Sequence, residues 1–197
     1  NISEKISSSE LDHIFKGQLD TAGITTEDSS KKFKFIHLNG AHVPYIYDKE
    51  MNIINEWDGT YEQSTQATLF GAMDYVEQLR ESGAYDNTTI IVMSDHGFNG
   101  SLAQSGDATW MRQCAMLLIK GRNEHHDTMQ ISQAPISFED LQEAYVRLLD
   151  GQQSDSVFDW KEGDARERRF LRYSFLDDDH MQEYMQTGYA SDMNTMI

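Results

Sequence analysis

The sequence predicts an α/β domain, a largely parallel sheet with flanking helices. Three observations carry that expectation. The run Thr88-Thr89-Ile90-Ile91-Val92-Met93 is apolar and β-branched and stops abruptly at Ser94-Asp95-His96-Gly97, as a strand buried on both faces does. Two more short apolar runs, at residues 33–38 and 114–119, also close on glycine-bearing turns. Segments with apolar residues at helical spacing, from Thr60 to Leu79 and from Ser137 to Leu149, alternate with these runs.

Taken in order, residues 1–32 are a polar lead-in. A short amphipathic helix is expected there around Leu11, Ile14, Phe15 and Leu19. The first strand, residues 33–38, ends in Asn39-Gly40-Ala41-His42-Val43-Pro44-Tyr45, where Gly40 and Pro44 mark an abrupt loop. Residues 46–59 read as irregular. Thr60 and Gln63 have the spacing of a capping box, and Leu69, Ala72, Met73, Val76 and Leu79 follow as the face that packs on the sheet, with Gly83 as the stop.

The central strand then leads into a glycine- and serine-bearing loop at residues 98–109. The next buried strand is Cys114-Ala115-Met116-Leu117-Leu118-Ile119, closed by Lys120-Gly121. Cys114 reads as a small core residue, and Leu117 as a core leucine. Met129-Gln130-Ile131 has the makings of a short strand. Ser137 and Asp140 start another helix, with Phe138, Leu141, Tyr145, Leu148 and Leu149 on one face and Gly151 after it. Residues 152–167 are a polar connector, residues 169–175 a late strand, and the tail from Asp177 is acidic and Met-rich. Neither a repeat nor a clear linker divides the chain, so residues 1–197 are read as one domain, with 1–32 the lead-in, 33–150 the core and 151–197 a C-terminal extension.

The chain has 197 residues and a formal net charge of −17. That balance argues against nucleic acid or an anionic membrane surface as partner. It leaves room for an anionic substrate, because bound cations invert the local potential. No apolar run has the length of a membrane span, and the start, Asn1-Ile2-Ser3-Glu4-Lys5, lacks the shape of a signal peptide. With no Met at position 1, an excised fragment or processed product is the expectation. The single Cys114 leaves no internal disulfide.

In open α/β sheets ligands sit beyond the carboxyl ends of the strands, where Asp95 and His96 fall. A carboxylate beside an imidazole suits a divalent metal such as zinc, and Gly97 lets the backbone turn behind them. His42, past the glycine turn, faces a ligand better than His37, which sits within its strand. Taken alone, His42 is more often an ordinary loop histidine. His125-His126-Asp127 and Asp177-Asp178-Asp179-His180 read as solvated polar turns. The Arg166, Arg168 and Arg169 cluster reads as pairing with the abundant carboxylates.

The segment from Phe35 to Tyr45 resembles the "H-x-P-Y" stretch of the alkaline phosphatase/sulfatase superfamily, closest to the membrane-anchored phosphoethanolamine and phosphoglycerol transferases and sulfatase-like relatives. The likeness continues through residues 61–79, Gly83-Ala84-Tyr85-Asp86-Asn87-Thr88-Thr89, Ser94-Asp95-His96-Gly97, Met116-Leu117-Leu118-Ile119-Lys120-Gly121 and Ala134-Pro135-Ile136-Ser137-Phe138-Glu139-Asp140-Leu141. It spans residues 33–150 in the family's order.

The resemblance implies an alkaline-phosphatase-like fold, with Asp95 and His96 ligating a catalytic zinc, manganese or calcium ion. It implies that His42 contacts the anion or leaving group of a sulfate- or phosphate-ester substrate, lipid or glycan head groups included. In such enzymes a Thr, Ser or formylglycine nucleophile attacks sulfur or phosphorus.

Two departures qualify the match. The family's nucleophile and first acidic ligand lie well upstream of the "H-x-P-Y" stretch, where this chain has only its polar lead-in, and no Cys-x-Pro-Ser-Arg signature occurs. The fold is therefore expected to be incomplete on its N-terminal side: a C-terminal fragment of a larger catalytic domain, inactive by itself, whose partner is the missing N-terminal half. The parent is expected to be membrane-anchored with this domain outside the cytoplasm. Secondly, residues 98–113 lack the further histidine that many relatives carry there. A catalytically inactive binding or structural domain on the same scaffold is the alternative. Phosphoglycerate mutase-like or nucleotide pyrophosphatase chemistry fits the His42 segment less well.

Overall fold

The structure, a computed structural model, describes residues 10–26, 30–98, 114–173, 181–189, 192 and 195. The chain divides into two compact units, Asn1–Asp86 and Asn87–Ile197, each taken by itself below.

The first unit is built on two helices. Helix α1, Leu11–Ala22, covers the expected amphipathic stretch and ends at Gly23 (φ +63°), whose N–H donates to the Leu19 carbonyl at 2.9 Å. Helix α2, Tyr61–Glu81, starts at the expected capping box: Gln63 N–H donates to Thr60 Oγ1 at 3.2 Å, and Thr60 N–H to Gln63 Oε1 at 3.0 Å. Gly83 (φ +74°) follows its end.

The expected face of α2 is buried in part: Leu79 is buried and Ala72 and Val76 are half-buried, whereas Leu69 and Met73 are exposed, and Ser64, Ala67 and Gly71 are buried in their place. The small residues are inside because Tyr47 and Met51 pack directly on Ala67, with Ile46 alongside. At Gly71 an added β-carbon would lie 2.8 Å from Met51 Cε. The segment read as irregular therefore supplies this unit's core. It turns back on itself through an antiparallel bridge, Tyr47 to Ile53. The Asp48 carboxylate holds that turn, accepting from Glu50 N–H, Asn52 N–H and the Asn52 side chain. Those bonds, the Asn52 side chain's first, hold Asp48 below the usual carboxylate range.

Residues 33–38, expected as a strand, have no ladder partner among the described residues. Phe33 and Phe35 are 84% and 80% exposed. The reason is local: a strand exists through its neighbour, and the described part of this unit contains only the Tyr47 bridge.

In the second unit, β1 (Ile90–Met93) pairs with β2 (Leu117–Lys120), and the pairing is antiparallel, Ile91 opposite Ile119. A parallel pair needs a long crossover, usually a helix; the described ends of this connection, residues 94–98 and 114–116, hold no helix. Helix α3, Leu141–Leu149, follows the 3-10 turn Phe138–Asp140. As expected, Ser137 and Asp140 close a capping box, with Ser137 N–H donating to Asp140 Oδ2 at 2.7 Å. Ala144 and Leu148 of α3, with Val157, form the core, and Ile91, Ile119, Tyr145 and Phe158 pack against it. Leu117 is only half-buried, and Phe138, Leu149, Met129 and Ile131 are exposed; Met129-Gln130-Ile131 is not a strand.

The late strand is present as β3 (Arg168–Tyr173), and the tail, read only as acidic, contributes β4 (Met181–Gln186) in an antiparallel pair with it. Phe170 and Tyr184 stack across the pair at 5.5 Å. Among the described residues, helices thus accompany two small antiparallel sheets of two strands each, a mixed α and β architecture in place of the expected large parallel sheet.

Candidate functional site

Asp95 and His96 stand where the sequence places them, directly beyond β1. Ser94 extends the ladder by one residue: its N–H donates to the Met116 carbonyl at 3.1 Å, and Met116 N–H donates to Ser94 Oγ at 2.8 Å. The chain then leaves the sheet, and both side chains reach solvent, Asp95 at 88% and His96 at 43% exposure.

Their mutual geometry is specific. His96 N–H donates to Asp95 Oδ1 at 2.9 Å, which turns the carboxylate back toward its own neighbour. His96 Nδ1 lies 2.6 Å from the Gly97 carbonyl oxygen. A carbonyl only accepts, so Nδ1 carries the proton and, in the neutral ring, Nε2 carries the lone pair. That Nε2 lies 3.6 Å from Asp95 Oδ2. Two ligands bonded at about 2.1 Å to one tetrahedral ion stand about 3.4 Å apart, so this pair of donor atoms fits a shared divalent cation. Among the described residues no group of three or more His, Cys, Asp or Glu side chains assembles to hold a metal.

His42 lies in the first unit, two residues past Gly40 (φ +65°). Its Nδ1 is 2.6 Å from the Val43 carbonyl oxygen, so by the same reasoning its Nε2 is the lone-pair nitrogen of the neutral ring. The surrounding loop is anchored by α1, through two residues the sequence did not single out. Asp12, 1% exposed, accepts from Asn39 N–H at 2.7 Å and Gly40 N–H at 2.8 Å. His13 N–H donates to Tyr47 Oη at 3.3 Å, and His13 Nδ1 lies 3.0 Å from the Met51 carbonyl oxygen. An acidic residue in the first turn of a helix is ordinarily a dipole partner; only distance in space, not spacing in the chain, shows what Asp12 holds. The structure brings Asp95 and His96 together, while His42 belongs to the other unit. His37 is exposed, its ring 6.4 Å from Phe35.

Several other polar groups have structural partners. Glu124, 8% exposed, accepts from Gly121 N–H at 2.6 Å, from the Ser154 hydroxyl and from His126 Nε2 at 3.1 Å. Burial pushes this carboxyl up, but the bonds from Ser154, Gly121 and His126 together outweigh it and hold it below the usual carboxylate value. Arg166 bonds Asp140 at 2.5 Å and stacks over Trp160, and Arg169 pairs with Glu183 at 3.4 Å, the carboxylate pairing expected of that cluster. Arg168 donates to the Gly188 carbonyl oxygen. Cys114 is half-buried, and burial pushes its thiol up. The run at residues 177–180 and most of the loop at residues 98–113 lie outside the described residues. No helix among the described residues is long and apolar enough to cross a membrane.

No known family, curated protein or solved structure matches the chain.

Proposed function

We propose that this chain is the C-terminal part of a metal-dependent sulfatase-like hydrolase or phospho-head-group transferase acting on sulfate or phosphate esters. Asp95 and His96 are its metal ligands and His42 contacts the substrate anion. The observation that carries the reading is the 3.6 Å placement of Asp95 Oδ2 against a His96 Nε2 whose partner nitrogen is already committed to Gly97. A bound zinc, manganese or calcium ion would supply Lewis acidity at the ester oxygens.

The chain's own residues would then divide the work. The Gly97 carbonyl fixes the His96 ring, Ser94 fixes the strand end from which both ligands leave, and His42, in its imidazolium form, offers Nε2–H to the anion. The large parallel, alkaline-phosphatase-like sheet belongs to the same proposal. The uncovered Phe33 and Phe35, on a segment without a ladder partner among the described residues, are the kind of surface that an N-terminal half of the same protein would complete. The parent would be membrane-anchored and hold this domain outside the cytoplasm, where lipid or glycan head groups are its substrates.

The alternative is a catalytically inactive binding or structural domain. It is favoured by one observation, the absence of histidine from residues 98–113.

Zinc and manganese titrations of the full chain, followed calorimetrically and by thermal melting, test the proposal. Binding is expected to be weak, since about three protein ligands make a tight zinc site. It should disappear in Asp95→Asn and in His96→Gln. Equal binding by wild type and both variants would sink it.

A further inference from the structure

We propose that Asp12 is the positioning residue for His42, holding the loop that presents the imidazole; the inference rests on the role given above to His42. A carboxylate only 1% exposed is costly to bury unless its oxygens are occupied. Here each oxygen takes one backbone N–H, from consecutive residues: Asn39 on Oδ1 at 2.7 Å and Gly40 on Oδ2 at 2.8 Å. Two adjacent amides aimed at one carboxylate fix the local path of the chain. At Gly40 that path requires φ +65°, which a side chain disfavours.

The next residue of α1, His13, holds the far side of the same loop at Tyr47 and Met51. His42 therefore sits between two clamps supplied by adjacent residues of one helix, although its own ring contacts only its neighbour Val43 among the hydrogen bonds seen. A carboxylate is needed at position 12. A carboxamide of the same shape offers one acceptor and one NH2, so one of the two amide hydrogens would face a donor.

The test uses the full chain with 15N-labelled histidine and a uniformly labelled companion sample. It follows the His42 ring signals and the Asn39 and Gly40 amides by NMR, with inorganic phosphate as the anion probe. In Asp12→Asn, amide exchange at Asn39 or Gly40 should accelerate roughly tenfold, as loss of one hydrogen bond allows. The His42 ring signals should shift or broaden, and the phosphate-induced shift at His42 should need several-fold more phosphate.

Gly40→Ala strains the same turn without touching the carboxylate: its β-carbon meets nothing closer than Thr68 at 3.7 Å. It should move the His42 signals in the same way, and it decides the question if Asp12→Asn does not fold. Leu19→Ala, which loosens α1 through a buried residue outside the clamps, should leave them in place. Unchanged His42 signals in a folded Asp12→Asn or Gly40→Ala chain would overturn the proposal, as would an equal change in Leu19→Ala. A wild-type His42 that ignores phosphate would instead remove the anion role, with the ring signals still deciding whether Asp12 positions it.

Discussion

A β-carbon built on Gly59 would lie 1.8 Å from the Tyr45 carbonyl oxygen. The two residues meet backbone to backbone just ahead of α2, where the Tyr45 ring also packs edge-on against Tyr61 at 6.2 Å. Nothing flexible stands between them, so a methyl group there has to move the main chain. Gly71 is different, because its β-carbon would meet the far end of the Met51 side chain and not backbone. Gly59→Ala should therefore lower stability by at least about 2–3 kcal/mol, and Gly71→Ala by less, as overpacking costs go. Urea denaturation of the two variants checks the order; a reversed order would mean that the Gly59 backbone yields.

Glu124 should make the protein acid-sensitive. Its carboxyl is held below its ordinary value in the folded state, so the stability it contributes is complete above the unfolded value of about 4.3 and is lost as pH falls through the folded one. Glu124→Gln should cost about 1–3 kcal/mol at neutral pH, because the bonds from Ser154, Gly121 and His126 are weakened. It should also flatten the decline in urea midpoint below about pH 4.3. An unchanged acid limb would show that another carboxylate governs it.

Ser64 offers the opposite case. Its hydroxyl is buried, 1% exposed for the residue as a whole, and has no hydrogen-bond partner among the described residues. Ser64→Ala removes a desolvated polar atom and improves helix propensity within α2, so thermal melting should show a gain of about 0.5–1.5 kcal/mol. A loss would mean that the hydroxyl finds a partner in solution.

The ligand pair and the core should separate cleanly in chelator. Leu148, 1% exposed beneath β1 and β2, should cost about 2–5 kcal/mol when truncated to alanine. The half-buried Leu117 should cost less. His96→Ala should stay within about 0.5 kcal/mol of wild type, as solvent-facing substitutions do. A midpoint loss for His96→Ala as large as that for Leu148→Ala would make His96 a packing residue.

What the sequence shows of this fold is what local chemistry determines. Thr60 with Gln63, and Ser137 with Asp140, mark helix starts because capping bonds join residues three apart. Ser94-Asp95-His96-Gly97 marks the end of β1 because the apolar run stops there. Strand direction is not local. β2 runs antiparallel to β1 although both have the unbroken apolar character usually associated with parallel sheets. Nor is β4 visible, since Met181, Glu183 and Met185 fit an acidic tail as well as a strand facing Tyr173, Leu171 and Arg169. Asp12 and Glu124 escape for the same reason: their partners Asn39 and Ser154 lie 27 and 30 residues away, where no periodicity reports them.

The uncovered run at residues 33–38 also sets how copies of this protein treat one another. Phe33 and Phe35 alternate with Lys34 behind Lys31 and Lys32, the arrangement by which charged neighbours keep a sticky strand apart from its copies. At neutral pH the formal charge of −17 adds a general repulsion. Near the isoelectric point of about 4.6 that repulsion vanishes while the two phenylalanines stay bare. Acid, or salt concentrated enough to screen the same charge, is then the condition under which the protein should leave solution.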